Sequence, residues 1–397
     1  MTTKSRALMA AFLMSAVAVP SAATAQQKAA EAQQPKLTPS KEAAAAIVAL
    51  QKAAVEKRNA EVPALGAAAL AVAKTPTDRY LAYRLQIPAL AAANNSAALL
   101  PAVEGVLDSG MATPEDMASL SIVSAKLNYN KGATDTAASA KAATRAQQAV
   151  QANPNDGEAH YILGLTQNRQ KQPVQAVASL QKAQALWAAA GKPFDQAVAD
   201  QIFSIAYNNK LPVAREIALT QAKKVPSAKN WRNAIKISEQ SMSLSAADKL
   251  DLFRLQRATS SFEGEGDYFP YVDALLTRGL PGEAKAVLDE AFAAGKLDRN
   301  KSTWSELYKS ASSRDAADKS APNADVYLGR GDYAKAAAAY RAQVAKGGAG
   351  ADLANLRLGI ALARSGDTAG ATAALNAVQG PRAGIAQLWL AYLQRAA

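Results

Sequence analysis

A short pattern of small and large apolar residues recurs along this chain and limits what it can fold into. Leu163 and Gly164 are followed, twelve residues after the glycine, by Ala176, and then by Leu180 and Ala183. Two antiparallel helices approach closely only where small residues occupy the crossing points and larger apolar residues fill the gaps beside them. The pattern predicts a helical hairpin with Gly164 and Ala176 as its crossing pair, Leu163 and Leu180 beside them, and Ala183 facing the next hairpin.

The same offsets recur elsewhere in the chain, so the hairpin is a repeated unit. They are found at Leu358, Gly359, Ala371, Leu375 and Val378, and in weaker form at Ala324, Ala336 and Tyr340 and at Val272, Ala284, Leu288 and Ala291. Aromatic residues make up only 6% of the chain. A core of small side chains gains little per residue, which favours an elongated array of hairpins over a single globule.

Local signals along the chain also favour helices. From Ser40 onward, helix-forming blocks of 12 to 18 residues alternate with short polar, proline or glycine breaks. Three helix starts are predicted from residues that can cap a first turn: Thr113 before Pro114, Ser245 with Asp248, and Thr77 before Asp78. No β-branched run alternates with polar residues over more than a few positions, so we expect no sheet.

This set of residues resembles the tetratricopeptide repeat (TPR), a 34-residue helical hairpin with small residues at its eighth, twentieth and twenty-seventh positions. The alanines at the twentieth position would be Ala142, Ala176, Ala214, Ala284, Ala336 and Ala371. The successive intervals between them are 34, 38, 70, 52 and 35 residues. Pro154 and Pro226 fall where the family has its proline. The long intervals predict a degenerate repeat between Lys229 and Ser261 and an extra helix near 302–314.

The resemblance covers 123–190 and 265–395 and implies an all-α fold, an α-solenoid of nine or ten stacked hairpins in a TPR-like superhelix. The first helix of each hairpin would line a concave groove that binds a partner protein. The ligand-facing positions would be Glu158, Tyr161, Leu165 and Asn168 in one repeat and Leu353, Leu356, Ile360 and Ala363 in the last. The family's lysine and asparagine set for a peptide carboxylate is absent from both repeats.

The first residues have the features of a secretory signal peptide. Lys4 and Arg6 precede the apolar run 7–20, and Ala23 and Ala25 form a cleavage site before Gln26. The apolar run is shorter than the about 20 residues that span a bilayer, and no later segment is apolar enough to do so. With no cysteine for a lipid anchor, we expect a periplasmic protein without a transmembrane segment after cleavage.

The chain therefore divides as follows: a signal peptide at 1–25, a flexible leader at 26–39, hairpins of unassigned repeat type at 40–122, and TPR-like repeats at 123–264 and 265–397.

No residue pattern predicts catalysis, a metal or a cofactor. His160 is the only histidine, whereas a hydrolytic triad or a histidine metal site needs further partners. Acidic residues alternate with glycine at 263–267, but an EF-hand loop from Glu263 would have Ala274 where it needs a bidentate acid. A glycosidase pair of Glu263 and Glu265 is no better supported. We expect a packing or surface role for His160 and a solvated turn for the acids.

Tyr161 and Asn168 form the first candidate partner site. The densest basic stretch of the sequence is the second. It contains Lys223, Lys224, Lys229, Trp231 and Arg232. It could bind an acidic peptide or an anionic glycan through charge and stacking, or be a helix end with Trp231 packed inside.

These observations predict a non-catalytic scaffold of the bacterial cell envelope that binds a partner protein or peptide segment. The net charge of +12, or +10 without Lys4 and Arg6, keeps a second interpretation open, a binding protein for anionic envelope polysaccharide during export or assembly. An enzyme with an unrecognised site is the third. Export argues against nucleic acid as a ligand, and we expect none.

Overall fold

The computed structural model describes residues 37–320 and 322–395, apart from the side chain of residue 317, and this part of the chain is all-α. It contains twenty α-helices and one short 3-10 helix, with no strand among the described residues. The predicted signal peptide at 1–25, and the leader up to residue 36, lie outside the described residues. The chain divides into two compact units, one ending at Ile205 and the other beginning at Ala206.

Unit 1 consists of eight helices and most of a ninth. They are α1 (Lys41–Val55), α2 (Val62–Val72), α3 (Pro76–Ala92), α4 (Ser96–Leu107), α5 (Pro114–Lys131), α6 (Thr136–Ala152), α7 (Gly157–Arg169), α8 (Pro173–Ala189) and α9 (Gln196–Asn208), which crosses the unit boundary. Each of α1 to α7 packs against the helix that follows it. The unit is therefore a stack of helical hairpins, as the sequence predicts.

Unit 2 consists of eleven α-helices. They are α10 (Ala214–Lys224), α11 (Ala228–Gln240), α12 (Ala246–Ala258), α13 (Glu265–Thr277), α14 (Pro281–Ala293), α15 (Ser302–Ser320), α16 (Ala324–Gly329), α17 (Tyr333–Lys346), α18 (Ala351–Ser365), α19 (Thr368–Asn376) and α20 (Ala383–Leu393), with a 3-10 turn at Gly380–Arg382. Helices α11 and α12 occupy the region of the expected degenerate repeat. Helix α15 overlaps the expected extra helix and continues to Ser320, and the predicted division at 264/265 falls inside this unit.

None of the described helices is long and apolar enough to cross a membrane.

The predicted crossing point in α7 and α8 is confirmed. A Cβ atom added to Gly164 would lie 2.6 Å from the Leu180 Cγ, closer than real Cβ atoms approach, and 3.1 Å from the Ala176 carbonyl oxygen, which is a tight contact. In unit 2, a Cβ on Gly359 would likewise lie 2.5 Å from the Leu375 Cγ. The same two offsets therefore produce the same close approach in two hairpins.

Ala183 is fully buried, but its carbonyl oxygen lies against Gly157 of its own hairpin. Leu163 is partly buried beside a small cluster of Ala125, Ala146 and Ile162.

Two of the three predicted caps are confirmed and one is wrong. Thr113 and Ser245 cap α5 and α12 in capping boxes with Asp116 and Asp248. The cap of α3 is Thr75, whose hydroxyl accepts from the Asp78 backbone N–H three residues on, whereas Thr77 lies inside the helix. The error was one of spacing, because a capping box needs its acid three residues after the cap.

Unit 2 differs from a simple stack because its last helix packs against its first helices. Helix α20 contacts α10 and α12 as well as α18 and α19. The Trp389 indole N–H donates to the Asp251 carbonyl at 3.2 Å, and Arg382 pairs with Asp248 at 2.6 Å. Trp389 is fully buried. Helix α20 is thus part of the core of unit 2, and this side of it is no open docking face.

Candidate functional site

The first candidate site lies on α5 and α7, the first helices of two neighbouring hairpins in unit 1. Glu158, Tyr161 and Asn168 follow one side of α7, at helical spacing. Lys126 and Tyr129 occupy the facing side of α5. We call these five residues the first-helix face.

Contacts between the two helices hold this face in place. The Lys126 Nζ lies 2.7 Å from a carboxylate oxygen of Glu158. The Arg169 guanidinium, at the end of α7, lies 3.5 Å from the centre of the Tyr129 ring and also donates to the Tyr129 carbonyl. An ion pair and a cation–π contact therefore join one hairpin to the next.

Tyr161 is half-buried on this face, and its ring is supported from behind. The Trp187 ring of α8 lies 5.5 Å away, and Trp187 also packs on Gly157, where a Cβ would clash with the indole. Burial, followed by the charge of Glu158, raises the pKa of the Tyr161 phenol. The phenol is therefore neutral at pH 7 and available as a hydrogen-bond donor or acceptor. Asn168 is exposed at the end of the helix.

The equivalent positions of the last repeat do not form such a surface. Leu356 and Ile360, expected to face a ligand, are 0% and 1% exposed. They are buried because α18 lies in the interior of unit 2, in contact with α17, α19 and α20. That part of the prediction is wrong.

The predicted basic stretch is divided between a helix end and a buried core. Lys223 and Lys224 lie in the last turn of α10, where a positive charge interacts favourably with the helix dipole. Lys229 is exposed in the first turn of α11. Trp231 is 1% exposed and packs edge-on against Tyr392, 6.1 Å between ring centres. Trp231 cannot stack on a ligand, because its ring fills the core.

Arg232 joins this stretch to the acidic turn that precedes and begins α13. Its guanidinium contacts Asp267 at 3.1 Å and Glu263 at 3.1 Å, and Lys236 contacts Asp267 at 2.8 Å. Burial would raise the pKa of Asp267, but hydrogen bonds from Lys236 and Arg232 hold it below its ordinary value. The basic stretch and the acidic turn, which looked separate in the sequence, neutralise each other's charge. Arg232 is therefore not a free cation that could bind a ligand.

His160 contacts the turn in front of α7, where a ring nitrogen lies 2.9 Å from the Pro154 carbonyl oxygen. Among the described residues, no group of three or more acids, histidines or cysteines is placed to hold a metal ion.

The interior of unit 2 contains a network of buried charges that sequence reasoning missed. Glu283 is 2% exposed and accepts from Arg254 through both oxygens, at 3.0 and 2.7 Å, and from the Tyr271 hydroxyl at 2.7 Å. Asp251, fully buried, pairs with Arg254 at 2.9 Å and Arg357 at 3.2 Å. Five buried polar groups from α12, α13, α14 and α18 thus satisfy one another.

The network continues through Asp325, which pairs with Arg357 at 2.7 Å and accepts from the Tyr340 hydroxyl. Burial would raise the pKa of Asp325, but the charges of Arg357 and Arg254 hold it below its ordinary value. A signal was present in the sequence, since Asp251 and Arg254 stand between the apolar residues Leu250, Leu252 and Leu255. A charge on an apolar helix face is rarely buried unless it is paired.

Comparison with known proteins does not assign the chain to a family. No protein-family model matches it, and no curated protein matches it. Among solved structures it is similar to a chain in the structure of Naa15/Naa10 bound to HypK-THB, at 13% sequence identity and a TM-score of 0.29. That match covers 89% of this chain and 59% of the other. At this score the likeness supports no argument, and the fold assignment rests on the helices described above.

Proposed function

We propose that this protein is an exported scaffold of TPR type, without catalytic activity, that binds a partner protein of the bacterial cell envelope on the first-helix face of unit 1. The observation that carries the proposal is the ordered face itself. Lys126, Tyr129, Glu158 and Tyr161 are held across two hairpins by an ion pair, a cation–π contact and ring packing.

The repeat type is supported by the crossing points. Gly164 meets Leu180 and Ala176 in one hairpin, and Gly359 meets Leu375 and Ala371 in another. The matching residues are twelve and sixteen positions apart in both hairpins. A TPR assignment accounts for both close approaches with one rule, and it makes the first helices the inner surface of a groove.

The chemistry of the first-helix face suits a protein partner. Tyrosine and arginine are enriched at the centres of protein interfaces because they combine apolar area with a polar group. Tyr129 and Tyr161 of the face are such residues, as is Arg169 beside it at the end of α7. Contacts between Tyr161 and Trp187 and between Arg169 and Tyr129 reduce the entropy that binding would otherwise cost. Asn168 adds an exposed amide at one end of the face.

The polysaccharide alternative has less support than the sequence suggested. Trp231 is buried, and Arg232 and Lys236 are engaged by Asp267. A stacking and charge platform for a glycan would need these groups at the surface.

Site-specific photo-crosslinking in intact cells tests the proposal. A benzoylphenylalanine at position 168 replaces the exposed Asn168 on α7, and the matched control replaces the exposed Lys182 on α8. We expect position 168 to capture a defined envelope protein, identified by mass spectrometry, that position 182 does not. Recovery of the same proteins from both positions, or of the chain alone from 168, would contradict the proposal.

Export has its own test, since residues 1–36 lie outside the described part of the chain. We expect the protein to be recovered from the periplasmic fraction with Gln26 as its first residue. A cytoplasmic protein that keeps Lys4 and Arg6 would refute the export proposal, although it would leave the first-helix face unaffected.

A further inference from the structure

A narrow cleft opens inside unit 2, away from the first-helix face, and its wall is rich in hydrogen-bond donors. Its polar lining comes from Arg254, Arg257, Glu283, Tyr333 and Arg364, and Trp389 closes one side. The lining thus has three guanidinium groups and a single carboxylate. All of these residues belong to helices of one unit.

The only carboxylate of the lining is already engaged by three hydrogen bonds from within unit 2. Glu283 accepts from Arg254 and from the Tyr271 hydroxyl on one oxygen and from Arg254 on the other. Arg254 in turn uses its Nε and both of its terminal nitrogens on Glu283 and Asp251. This pair forms a closed, neutral wall.

The other two arginines retain donors. Arg257 contacts Glu290 through Nε and one terminal nitrogen, at 2.9 and 2.6 Å, and no partner is shown for its second terminal nitrogen among the described residues. Arg364 is exposed, and its Nε lies 3.2 Å from the Tyr333 hydroxyl oxygen. Within the described part of the chain Arg364 has no carboxylate partner.

The Tyr333 hydroxyl completes the set. Because its oxygen accepts from Arg364, its own O–H is left to donate. The Arg364 guanidinium also lies 5.5 Å from the centre of the Tyr333 ring, which limits where it can point. Arg257, Arg364 and Tyr333 therefore present donors around one opening, and a site rich in donors is complementary to an oxyanion.

The size of the cleft limits its ligand. Its volume is about 30 Å³, room for one or two water-sized groups. Only one or two oxygen atoms of a ligand can enter, while the rest lies at the mouth beside Arg364. A whole nucleotide or sugar does not fit inside.

We propose that this cleft binds a small oxyanion group, a phosphate or a carboxylate, held by Arg257, Arg364 and the Tyr333 hydroxyl. Bidentate guanidinium contacts suit both groups. The site is independent of the partner surface proposed for unit 1, so either proposal can fail alone.

Calorimetric titration of the full mature chain at low salt tests this site. Inorganic phosphate and acetate are the two probes, and Arg364→Gln and Tyr333→Phe are the two variants. We expect Arg364→Gln to weaken binding about tenfold or more, because a charged hydrogen bond is lost, and Tyr333→Phe to weaken it about fivefold. Arg364 is exposed, so its variant should fold, which circular dichroism checks.

The matched control is Arg341→Gln, an exposed arginine on α17 outside the lining. Binding that is unchanged in this control but lost in Arg364→Gln supports the site, and the preferred probe identifies the oxyanion. Equal weakening in both variants, or no binding of either probe, would overturn it. Inorganic phosphate compared with O-phosphoserine then distinguishes a free anion from an anionic group on a larger ligand.

Discussion

The two units use the same hairpins but different interiors. In unit 1, side-chain contacts join nearby hairpins, such as Arg145 with Glu104, 41 residues away, and Arg169 with Tyr129, 40 residues away. In unit 2, Arg357 reaches Asp251 across 106 residues and Trp389 reaches its carbonyl across 138. Unit 1 resembles a stack stabilised between neighbours, and unit 2 is closed by contacts between its ends.

The buried side chains differ in the same way. The four largest fully buried residues, Trp231, Trp304, Trp389 and Tyr271, all belong to unit 2. In unit 1 alanine is the commonest buried residue type, with residues such as Ala142, Ala146 and Ala149 fully buried, and the largest fully buried side chains are aliphatic, such as Leu50, Leu180 and Ile202. Local small-residue patterns therefore specify unit 1, while unit 2 depends on aromatic packing and on charges that find partners far along the chain.

The largest effect should come from breaking the buried network. Arg357→Met leaves Asp325 without a cation and removes one of the two arginines that pair with the fully buried Asp251, which keeps Arg254. We expect unit 2 to lose about 3 kcal/mol of unfolding free energy, because removing one partner of a buried ion pair leaves its charge uncompensated. Hydrogen exchange in urea, read separately for peptides of each unit, measures this loss.

The matched control for that variant is Arg341→Met on the exposed side of α17. It should change the stability by no more than about 0.5 kcal/mol. If Arg357→Met were equally mild, the network would have no part in closing unit 2.

Acid should weaken unit 2 through other buried carboxylates that are paired with arginine, Glu283 and Asp248. Burial would raise the pKa of Glu283, but the charge of Arg254 holds it below its ordinary value. Burial would likewise raise the pKa of Asp248, but hydrogen bonds from Ser245 and Arg382 hold it below its ordinary value. Groups of this kind stabilise the fold above the unfolded pKa of about 4 and lose that contribution as the pH falls through the lowered pKa. We expect unfolding free energy to drop progressively below pH ~4.

Asp248→Asn is the variant that checks this sign. It removes the Arg382 ion pair at neutral pH and with it part of the acid sensitivity. The slope of unfolding free energy against pH, as the pH falls from about 4 through the lowered pKa, should therefore be shallower than in the parent. An unchanged slope would mean that Asp248 does not contribute to it.

The glycine crossing points permit a test that both units share. Gly164→Ala and Gly359→Ala each place a Cβ about 2.5 Å from a leucine side chain, and such overpacking costs about 1 to 3 kcal/mol. We expect both variants to be destabilised, and Leu180→Ala to suppress the overpacking caused by Gly164→Ala. Urea unfolding of the full chain measures both.

Gly266→Ala is the matched control, since nothing lies within 4 Å of its added Cβ and its backbone is helical. Alanine there should stabilise the chain by up to about 1 kcal/mol through helix propensity. Equal destabilisation at 164 and 266 would show that the close approach to Leu180 is not the cause.

The contrast between the two units also explains which features of the fold the sequence could predict. Offsets within about 20 residues located Gly164, Ala176, Leu180 and the equivalent set around Gly359, because one hairpin determines them. Tyr161 was assigned to a ligand-facing position through the TPR resemblance. Ile360 was assigned to the ligand-facing surface, which is wrong, and the burial of Trp231 was one of two interpretations left open. Both residues pack in a core that α20 helps to form, and no local pattern reports that contact. The pairing of Asp251 with Arg357 was missed for the same reason.

The smallest predicted effect concerns the cap of α3, which the sequence predicts to be Thr77 and which is Thr75 in the structure. Thr75→Ala removes the hydroxyl that accepts from the Asp78 N–H, and we expect a loss of about 1 kcal/mol. Thr77→Ala, inside the helix, should change stability by only about a few tenths of that amount because alanine is the better helix former. Asp78 also accepts from the Ser40 backbone N–H at 2.8 Å, so the loss should extend to exchange protection at the start of α1. A loss of stability that is larger in Thr77→Ala than in Thr75→Ala would instead support Thr77, the cap predicted from the sequence.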